Sequence, residues 1–231
     1  EGRTPFQSMA IYASPDLGRV LVLDDIIQTT EADELIYHEM LVHVPMFACE
    51  KPARVLIVGG GDGGSLREAL KHPTVQIDMC EIDREVIDRC IEFLPFLNDA
   101  GAIYDDPRVN LVVDDAFEYM KRAEGAYDVI IVDSTDPIGA AEALFSAEFY
   151  RLCHDALSPR GVLSAQNGVV FFQRGEAAQA IAAFRNLGLE AGCYLAAVPM
   201  YYGGEMTLGL AARSGKALTP DLDNLRERFL A

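Results

Sequence analysis

Short stretches of apolar and β-branched residues, separated by turn formers, occupy the first thirty positions. They predict strands over residues 9–13, 19–24 and 26–29, with a turn at residues 14–18. Residues 31–47 then have the character of a helix, with Thr30 as its predicted N-cap and acids in its first turn. The pattern therefore predicts a small N-terminal β-strand region over residues 1–30.

From residue 53 onwards, short apolar runs alternate with helical stretches. Residues 55–58 are all apolar, as expected of a strand buried on both faces of a sheet. The alternation predicts an α/β fold with a mostly parallel, doubly wound sheet over residues 31–231, and residues 193–198 and 206–212 predict an antiparallel hairpin at its edge. The other predicted strands are 75–80, 109–113, 127–132 and 161–165, and the predicted helices are 65–71, 84–94, 116–123, 147–157 and 175–187.

In such sheets ligands bind beyond the carboxyl ends of the strands. The first of these ends carries Gly59, Gly61 and Gly64, which form G-x-G-x-x-G between a predicted strand and a predicted helix. This motif suits a dinucleotide and an adenosyl cofactor equally. Asp62 in the same loop would repel a pyrophosphate and attract a cation, although it could equally well bond its own backbone in a turn.

Acidic residues follow the next two predicted strands. Glu81 lies twenty residues after Gly61, where an acid commonly accepts hydrogen bonds from ribose hydroxyls. Of Asp114 and Asp115, one could accept from an adenine amino group while the other caps the following helix. We assign the contact with the base to Asp115.

Two further carboxylates follow the fourth predicted strand. Asp136 precedes Pro137, which is typical of a turn, whereas Asp133 directly follows an apolar run and is less readily explained in that way. Like charges in one crevice raise one another's pKa unless a positive group neutralises them. The simplest resolution is a cationic, nitrogen-rich ligand for the strand-end carboxylates Asp62, Glu81, Asp115, Asp133 and Asp136.

Composition narrows the classes of partner. The chain has 36 acidic residues against 19 Lys and Arg, a net charge of −17 and a pI near 4.5, which disfavours nucleic acid and an anionic membrane face. There is no run of the roughly 18 apolar residues that a membrane helix needs, and no signal-peptide pattern. Five cysteines without a CxxC pair indicate a reducing cytoplasm. His38 and His43 are five positions apart, which does not suit a zinc-binding helix.

Several segments match one protein family in order. They are the glycine loop with Leu66-Arg67-Glu68, and residues 21–31, 37–40, 80–83, 133–137, 165–168 and 199–204. Through them the chain resembles the bacterial spermidine synthases, or polyamine aminopropyltransferases. The resemblance implies a methyltransferase-like Rossmann fold behind a small N-terminal β domain. It also implies transfer of an aminopropyl group from decarboxylated S-adenosylmethionine to putrescine, without a metal or a further cofactor, by a cytoplasmic homodimer.

The resemblance also implies roles for individual residues. Gln7, Gly59, Gly61 and the backbone at Ala116 would contact the nucleoside donor. Residues 134–143 would close over both substrates. Glu81 would contact the ribose of the donor, Asp115 its adenine and Asp62 its aminopropyl amine. Asp133 would be the catalytic carboxylate. The diamine site would be lined by Tyr37, Asp136, Gln166 and Tyr201, with Gln28 and His38 nearby.

Other functions remain open from the sequence. A methyltransferase that uses intact S-adenosylmethionine would have a similar fold, but its donor carboxylate would meet repulsion from Asp62, Asp133 and Asp136. A different amine acceptor, such as cadaverine, agmatine or spermidine, is also compatible. A catalytically inactive polyamine-binding or nucleoside-binding protein and a NAD dehydrogenase are less favoured, the latter because Asp62 opposes a pyrophosphate.

Overall fold

A small antiparallel sheet forms the N-terminal part of the computed structural model, which describes every residue except 124, 202, 220 and 231. Its strands β1 to β4 follow one another in order, as Gly2–Arg3, Ser8–Ser14, Gly18–Leu23 and Ile26–Thr30. In the turn between β2 and β3, the Ser14 hydroxyl accepts hydrogen bonds from the Asp16 and Leu17 amides. The three predicted strands of this region are confirmed.

A seven-stranded sheet forms the rest of the molecule, in the order β10-β11-β9-β8-β5-β6-β7. The five strands from β9 to β7 are parallel, and β11 and β10 run antiparallel as the predicted edge hairpin. This confirms the predicted mostly parallel α/β fold. The strands are β5 Arg54–Gly59, β6 Gln76–Glu81, β7 Val109–Val113, β8 Tyr127–Asp133, β9 Leu157–Val169, β10 Glu190–Ala197 and β11 Glu205–Ala212.

Helices cover both faces of this sheet, so that the apolar run of β5 is buried on both sides. Val55 and Ile57 belong to one core cluster, together with Leu41 of the first helix. Leu56 and Val58 belong to a second cluster on the opposite face. The helices are α1 Glu34–Ala48, α2 Gly64–Leu70, α3 Arg84–Phe93, α4 Pro95–Asn98, α5 Ala116–Met120, α6 Ala147–Ala156, α7 Glu176–Asn186 and α8 Leu222–Leu230, with 3-10 segments at Asp99–Asp105, Gly139–Phe145 and Gly215–Leu218.

The first helix begins three residues later than the sequence predicts. Thr30 is the last residue of β4, and its hydroxyl donates to Asp33 Oδ1 at 2.7 Å instead of capping a helix. The other Asp33 oxygen accepts from the Met200 amide at 2.9 Å. Asp33 therefore ties the end of the small sheet to the 199–204 segment.

The small sheet packs against the large one through α3. Met9, Leu21 and Leu23 form one core cluster with Val86 and Cys90 of that helix. This contact brings β3 and β4 over the carboxyl ends of β5 and β6. Among the described residues, no helix is long and apolar enough to cross a membrane.

Candidate active site

A cavity of about 360 Å³ lies between the small sheet and the carboxyl ends of the parallel strands. The wall of this cavity contains every residue for which the family resemblance implies a side-chain or backbone role at the substrates, although these roles stay predictions. These residues are Gln7, Gln28, Tyr37, His38, Gly59, Gly61, Asp62, Glu81, Asp115, Ala116, Asp133, Asp136, Gln166 and Tyr201.

The glycine loop after β5 approaches Glu81 closely. The Gly61 amide donates to Glu81 Oε2 at 3.1 Å, and the Asp83 amide donates to Oε1 at 2.8 Å. A Cβ atom at Gly61 would lie 2.9 Å from the same Oε2, so the close approach requires glycine. Burial raises the pKa of Glu81 to about 7, against the opposing effect of the Asp83 and Gly61 amides. The carboxyl group is thus held in one orientation, with lone pairs left to accept from a diol.

The same loop is attached to the end of β8. The Gly60 amide donates to the Asp133 carbonyl at 2.9 Å, and a Cβ atom at Gly59 would collide with that carbonyl oxygen. Both glycines have positive φ. The glycine loop therefore fixes the backbone of Asp133.

Both side-chain oxygens of Asp133 are also held. Tyr37 donates its hydroxyl to Oδ1 at 2.8 Å, and Ser65 donates its hydroxyl to Oδ2 at 2.6 Å. Burial raises the pKa of Asp133, and the nearby negative charge of Asp62 acts in the same direction, while His38 opposes them. Ser65 was not among the residues predicted from the sequence, and no motif in the sequence marks it.

His38 lies between carboxylates and is almost fully buried, with 1% of its surface exposed. Its Nδ1 is 2.7 Å from Glu34 Oε2, and its Nε2 is 3.6 Å from Asp62 Oδ2. Burial alone would lower the pKa of His38, but Asp62, Glu34 and Asp133 raise it to about 10. The ring is therefore an imidazolium at neutral pH, a charge that the sequence analysis, which placed His38 only near the diamine site, missed.

The Asp62 carboxylate shares this centre with Asp133. Its Oδ1 accepts from the Gly64 amide at 2.8 Å, as the turn interpretation of Asp62 predicts, while Oδ2 faces His38. Burial tends to raise the pKa of Asp62, but the His38 charge outweighs it and the pKa is lowered. One donor atom each of His38, Asp62 and Asp133 lies within 4.8 Å of the others. These atoms could hold a metal ion only if the His38 ring lost its proton, and the expectation of a metal-free site stays a prediction.

Aromatic rings and amide groups line another part of the cavity wall. Tyr37 and Tyr201 meet edge to face with ring centres 5.8 Å apart, and the Tyr201 hydroxyl donates to the Gln28 carbonyl at 2.6 Å. Gln166 Nε2 lies 3.5 Å from Asp136 Oδ1. The Gln166 amide oxygen accepts from the Gly168 amide at 2.8 Å. An apolar slot with a carboxylate at each end can hold a diamine.

Asp115 fits both interpretations that the sequence left open. Its side chain caps α5 by accepting from the Phe117 amide at 2.8 Å, and it also lines the cavity. Asp83 caps α3 through the Glu85 amide and accepts from Gln7 Nε2 at 3.1 Å. This bond holds Gln7 at the cavity wall.

The fold and the cavity together define a Rossmann-like protein of the methyltransferase type. Residues 34–220 match the spermine/spermidine synthase domain, and residues 1–31 match the spermidine synthase tetramerisation domain. The chain therefore belongs to the spermine/spermidine synthase family. The second match shows an oligomerisation domain, but it does not support a dimer in particular.

Similar proteins carry names from the same family. A polyamine aminopropyltransferase of Ruegeria sp. (strain TM1040) is 48% identical over 232 residues, which cover all of this chain and 81% of the relative. One of Pseudomonas syringae pv. tomato is 48% identical over 99% of this chain and 80% of its own length. Spermidine synthase from Thermotoga maritima matches 98% of this chain and 76% of its own with a TM-score of 0.90 and 38% identity. A spermidine synthase in complex with the transition-state analogue AdoDATO matches 98% of this chain and 77% of its own with a TM-score of 0.89 and 39% identity.

Proposed function

We propose that the protein transfers the aminopropyl group of decarboxylated S-adenosylmethionine to putrescine, giving spermidine and 5′-methylthioadenosine. One observation carries this proposal. Tyr37 and Ser65 each donate a hydrogen bond to one oxygen of Asp133, and Asp133 lines the same cavity as Glu81 and Asp136. The names of the relatives support the same reaction class.

The donor occupies the end of the cavity beside the glycine loop. Glu81 accepts from the ribose hydroxyls, Asp115 accepts from the adenine amino group, and the Ala116 backbone and Gln7 complete the contact. Asp62 binds the ammonium of the aminopropyl group. This arrangement leaves the carbon next to the sulfonium facing Asp133.

The transfer is a direct displacement. The acceptor nitrogen forms a bond to the carbon next to sulfur, the carbon–sulfur bond breaks, and its electron pair neutralises the sulfonium as a thioether. The nitrogen then gives one proton to Asp133. The sulfonium is already a good leaving group, so alignment of the reactants supplies most of the catalysis and no further cofactor is required.

The proposed role of Asp133 follows from the proton that the acceptor amine must lose. An alkyl ammonium titrates near 10 and a free aspartate near 4, a gap of about 6 units or roughly 8 kcal/mol. Asp133 therefore orients the neutral amine and accepts its proton as the new bond forms and the nitrogen becomes acidic. Burial raises the pKa of Asp133, which narrows the gap. Asp136 holds the far ammonium.

A product assay tests the proposed function. The purified protein is incubated with decarboxylated S-adenosylmethionine and, separately, with putrescine, cadaverine, agmatine and spermidine, and the products are identified by mass spectrometry. Spermidine from putrescine, in equal amounts with 5′-methylthioadenosine, is the expected result. Faster turnover of another amine would reassign the acceptor, and no aminopropylated product with any amine would reject the function.

We further propose that the protein is a homo-oligomer. The family resemblance implies a dimer, and the match of residues 1–31 to a tetramerisation domain also indicates self-association.

All five cysteines are free thiols and four of them are buried. Free thiols persist in reducing compartments, which supports the proposal that the protein works in the cytoplasm.

A further inference from the structure

A buried ion pair lies directly behind the cavity, outside the residues assigned to the two substrates. The Arg67 guanidinium donates two hydrogen bonds to the two oxygens of Glu34, at 3.0 and 2.9 Å. Arg67 also donates to Glu68 at 2.9 Å and to the Phe96 carbonyl at 3.1 Å. Only 5% of Glu34 is exposed. A two-pronged pair of this kind fixes both side chains in one orientation.

Glu34 passes this orientation to His38, one helical turn further along α1. Its Oε2 accepts from His38 Nδ1 at 2.7 Å, so the other ring nitrogen points towards Asp62 and Asp133. A Cβ atom at Gly64 would collide with the ring, so the backbone of α2 closes the space behind it. The ring can neither turn over nor withdraw without breaking these contacts.

The charged groups around the ring come from three parts of the fold. Glu34 lies on the same helix, Asp62 on the loop after β5 and Asp133 at the end of β8. Arg67 pairs with Glu34, and its charge also lowers the pKa of Asp62. The Tyr37 ring meets the imidazole edge to face at 5.2 Å. Three carboxylates thus surround one imidazole, and the charge of Arg67 neutralises that of Glu34.

We propose that Glu34, held by Arg67, is a positioning residue that keeps His38 as an imidazolium facing Asp62 and Asp133, and thereby keeps the catalytic carboxylate ionised before the substrates bind. The role of Asp133 in this statement rests on the proposed function. Without the charge on His38, two carboxylates close together in a buried site would share a proton. Asp133 would then be unable to accept the proton of the acceptor amine.

The pH dependence of turnover separates this role from a structural one. We expect Glu34→Gln to move the acid limb of the kcat profile upwards by about one pH unit, so that the loss of kcat approaches tenfold on the acid side of that limb and disappears at pH 9. Glu39→Gln is the matched control, since Glu39 is an exposed acid on the same helix. Its profile should follow that of the unchanged protein. An equal loss of kcat at every pH in Glu34→Gln would overturn the proposal.

A measurement on the ring itself does not depend on turnover. The His38 Cε1–H resonance of the unliganded protein, assigned with His38→Asn, is followed by NMR from pH 5 to 10.5. The proposal requires a charged ring throughout the neutral range, with a midpoint near 10. A His38 ring that is neutral at pH 7.5 would overturn it.

Replacement of the outer residue provides a second variant. Arg67→Met removes the two hydrogen bonds that orient Glu34 while leaving Glu34 in place. Loss of the guanidinium charge alone would raise the midpoint of the His38 titration, whereas loss of the Glu34 orientation lowers it. The positioning role therefore predicts a lowered midpoint, and a raised one would contradict it. An unchanged midpoint would contradict the role of Arg67. If the unchanged protein forms no aminopropylated product but His38 titrates as expected, the proposed function fails while the positioning of the ring stands.

Discussion

At the residue scale, the centre of the cavity is a balance of buried charges. Asp62 and Asp133 repel each other, and His38 offsets that repulsion with a charge that Glu34 supports. From the sequence, this repulsion was expected to be offset by a cationic ligand alone, because His38 was placed only near the diamine site. In the structure, a carboxylate lies at each ring nitrogen of His38, so the protein itself can provide one of the cations.

If the proposed function is right, turnover should depend strongly on Asp133. Asp133→Asn keeps the size of the side chain but removes the proton acceptor, so we expect kcat to fall by about 10²–10⁴-fold. Binding of 5′-methylthioadenosine, measured by calorimetry, should change little. Asp16→Asn, at an exposed turn, is the control and should retain full turnover. Near-normal turnover of Asp133→Asn would rule out the proton-accepting role.

Glu81 should make nucleoside binding depend on pH. Its pKa is raised to about 7, so it is mostly protonated at pH 6 and mostly ionised at pH 8. Only the ionised form accepts freely from both ribose hydroxyls. We therefore expect calorimetry to show 5′-methylthioadenosine binding roughly tenfold more weakly at pH 6 than at pH 8. Glu81→Gln should abolish this difference, and a difference of the same size in the variant would assign it to another group.

At the scale of elements, the cavity depends on close approach between backbone and side chain where α2 begins. The first residue of α2, Gly64, abuts the buried ring of His38. The Asp62 carboxylate bonds to the amide of the same glycine. The glycine motif therefore does more than allow a tight turn, because its last glycine makes room for the imidazolium.

A substitution at this position tests that packing. Gly64 does not have positive φ, so alanine would ordinarily favour the helix. Here its Cβ atom would push against His38, and we expect Gly64→Ala to destabilise the protein by about 1–3 kcal/mol in urea unfolding and to lower kcat. Gly192→Ala provides the control, since its Cβ would meet no atom within 4 Å. Equal stability of the two variants would show that the ring moves aside without cost.

The sequence predicted the elements better than their ends. Apolar runs such as 55–58 and 127–132 can only be buried strands, and both are confirmed within β5 and β8. The start of α1 was wrong because Thr30 followed by acids is typical of an N-terminus, whereas Thr30 completes β4. Predicted helix 116–123 ends at Met120, and β9 is longer than predicted at both ends.

At the scale of the whole molecule, the sequence predicted which edge of the sheet carries the candidate site. The carboxyl ends of parallel strands lie side by side, so Asp62, Glu81 and Asp133 could be placed together from strand order alone. The pair of Glu34 and Arg67 could not, because these residues are 33 positions apart and their contact depends on how α1 packs against α2. Such contacts are set by tertiary packing, which no local pattern encodes.

The oligomeric state is a prediction at this scale. Because residues 1–31 match a tetramerisation domain, we expect light scattering after gel filtration to give an integral multiple, at least two, of the 25.3 kDa chain. The mass should persist on dilution through the micromolar range. A monomeric mass throughout would contradict the proposed homo-oligomer.

The most direct test of the whole account is a competition between two donors in one reaction. Decarboxylated and intact S-adenosylmethionine are supplied at equal concentration with putrescine, and the amine products are identified by mass spectrometry. We predict spermidine and no methylated amine, because a donor that keeps its carboxylate meets Asp62 and Asp133. Methylputrescine as the main product, or equal use of the two donors, would contradict the account.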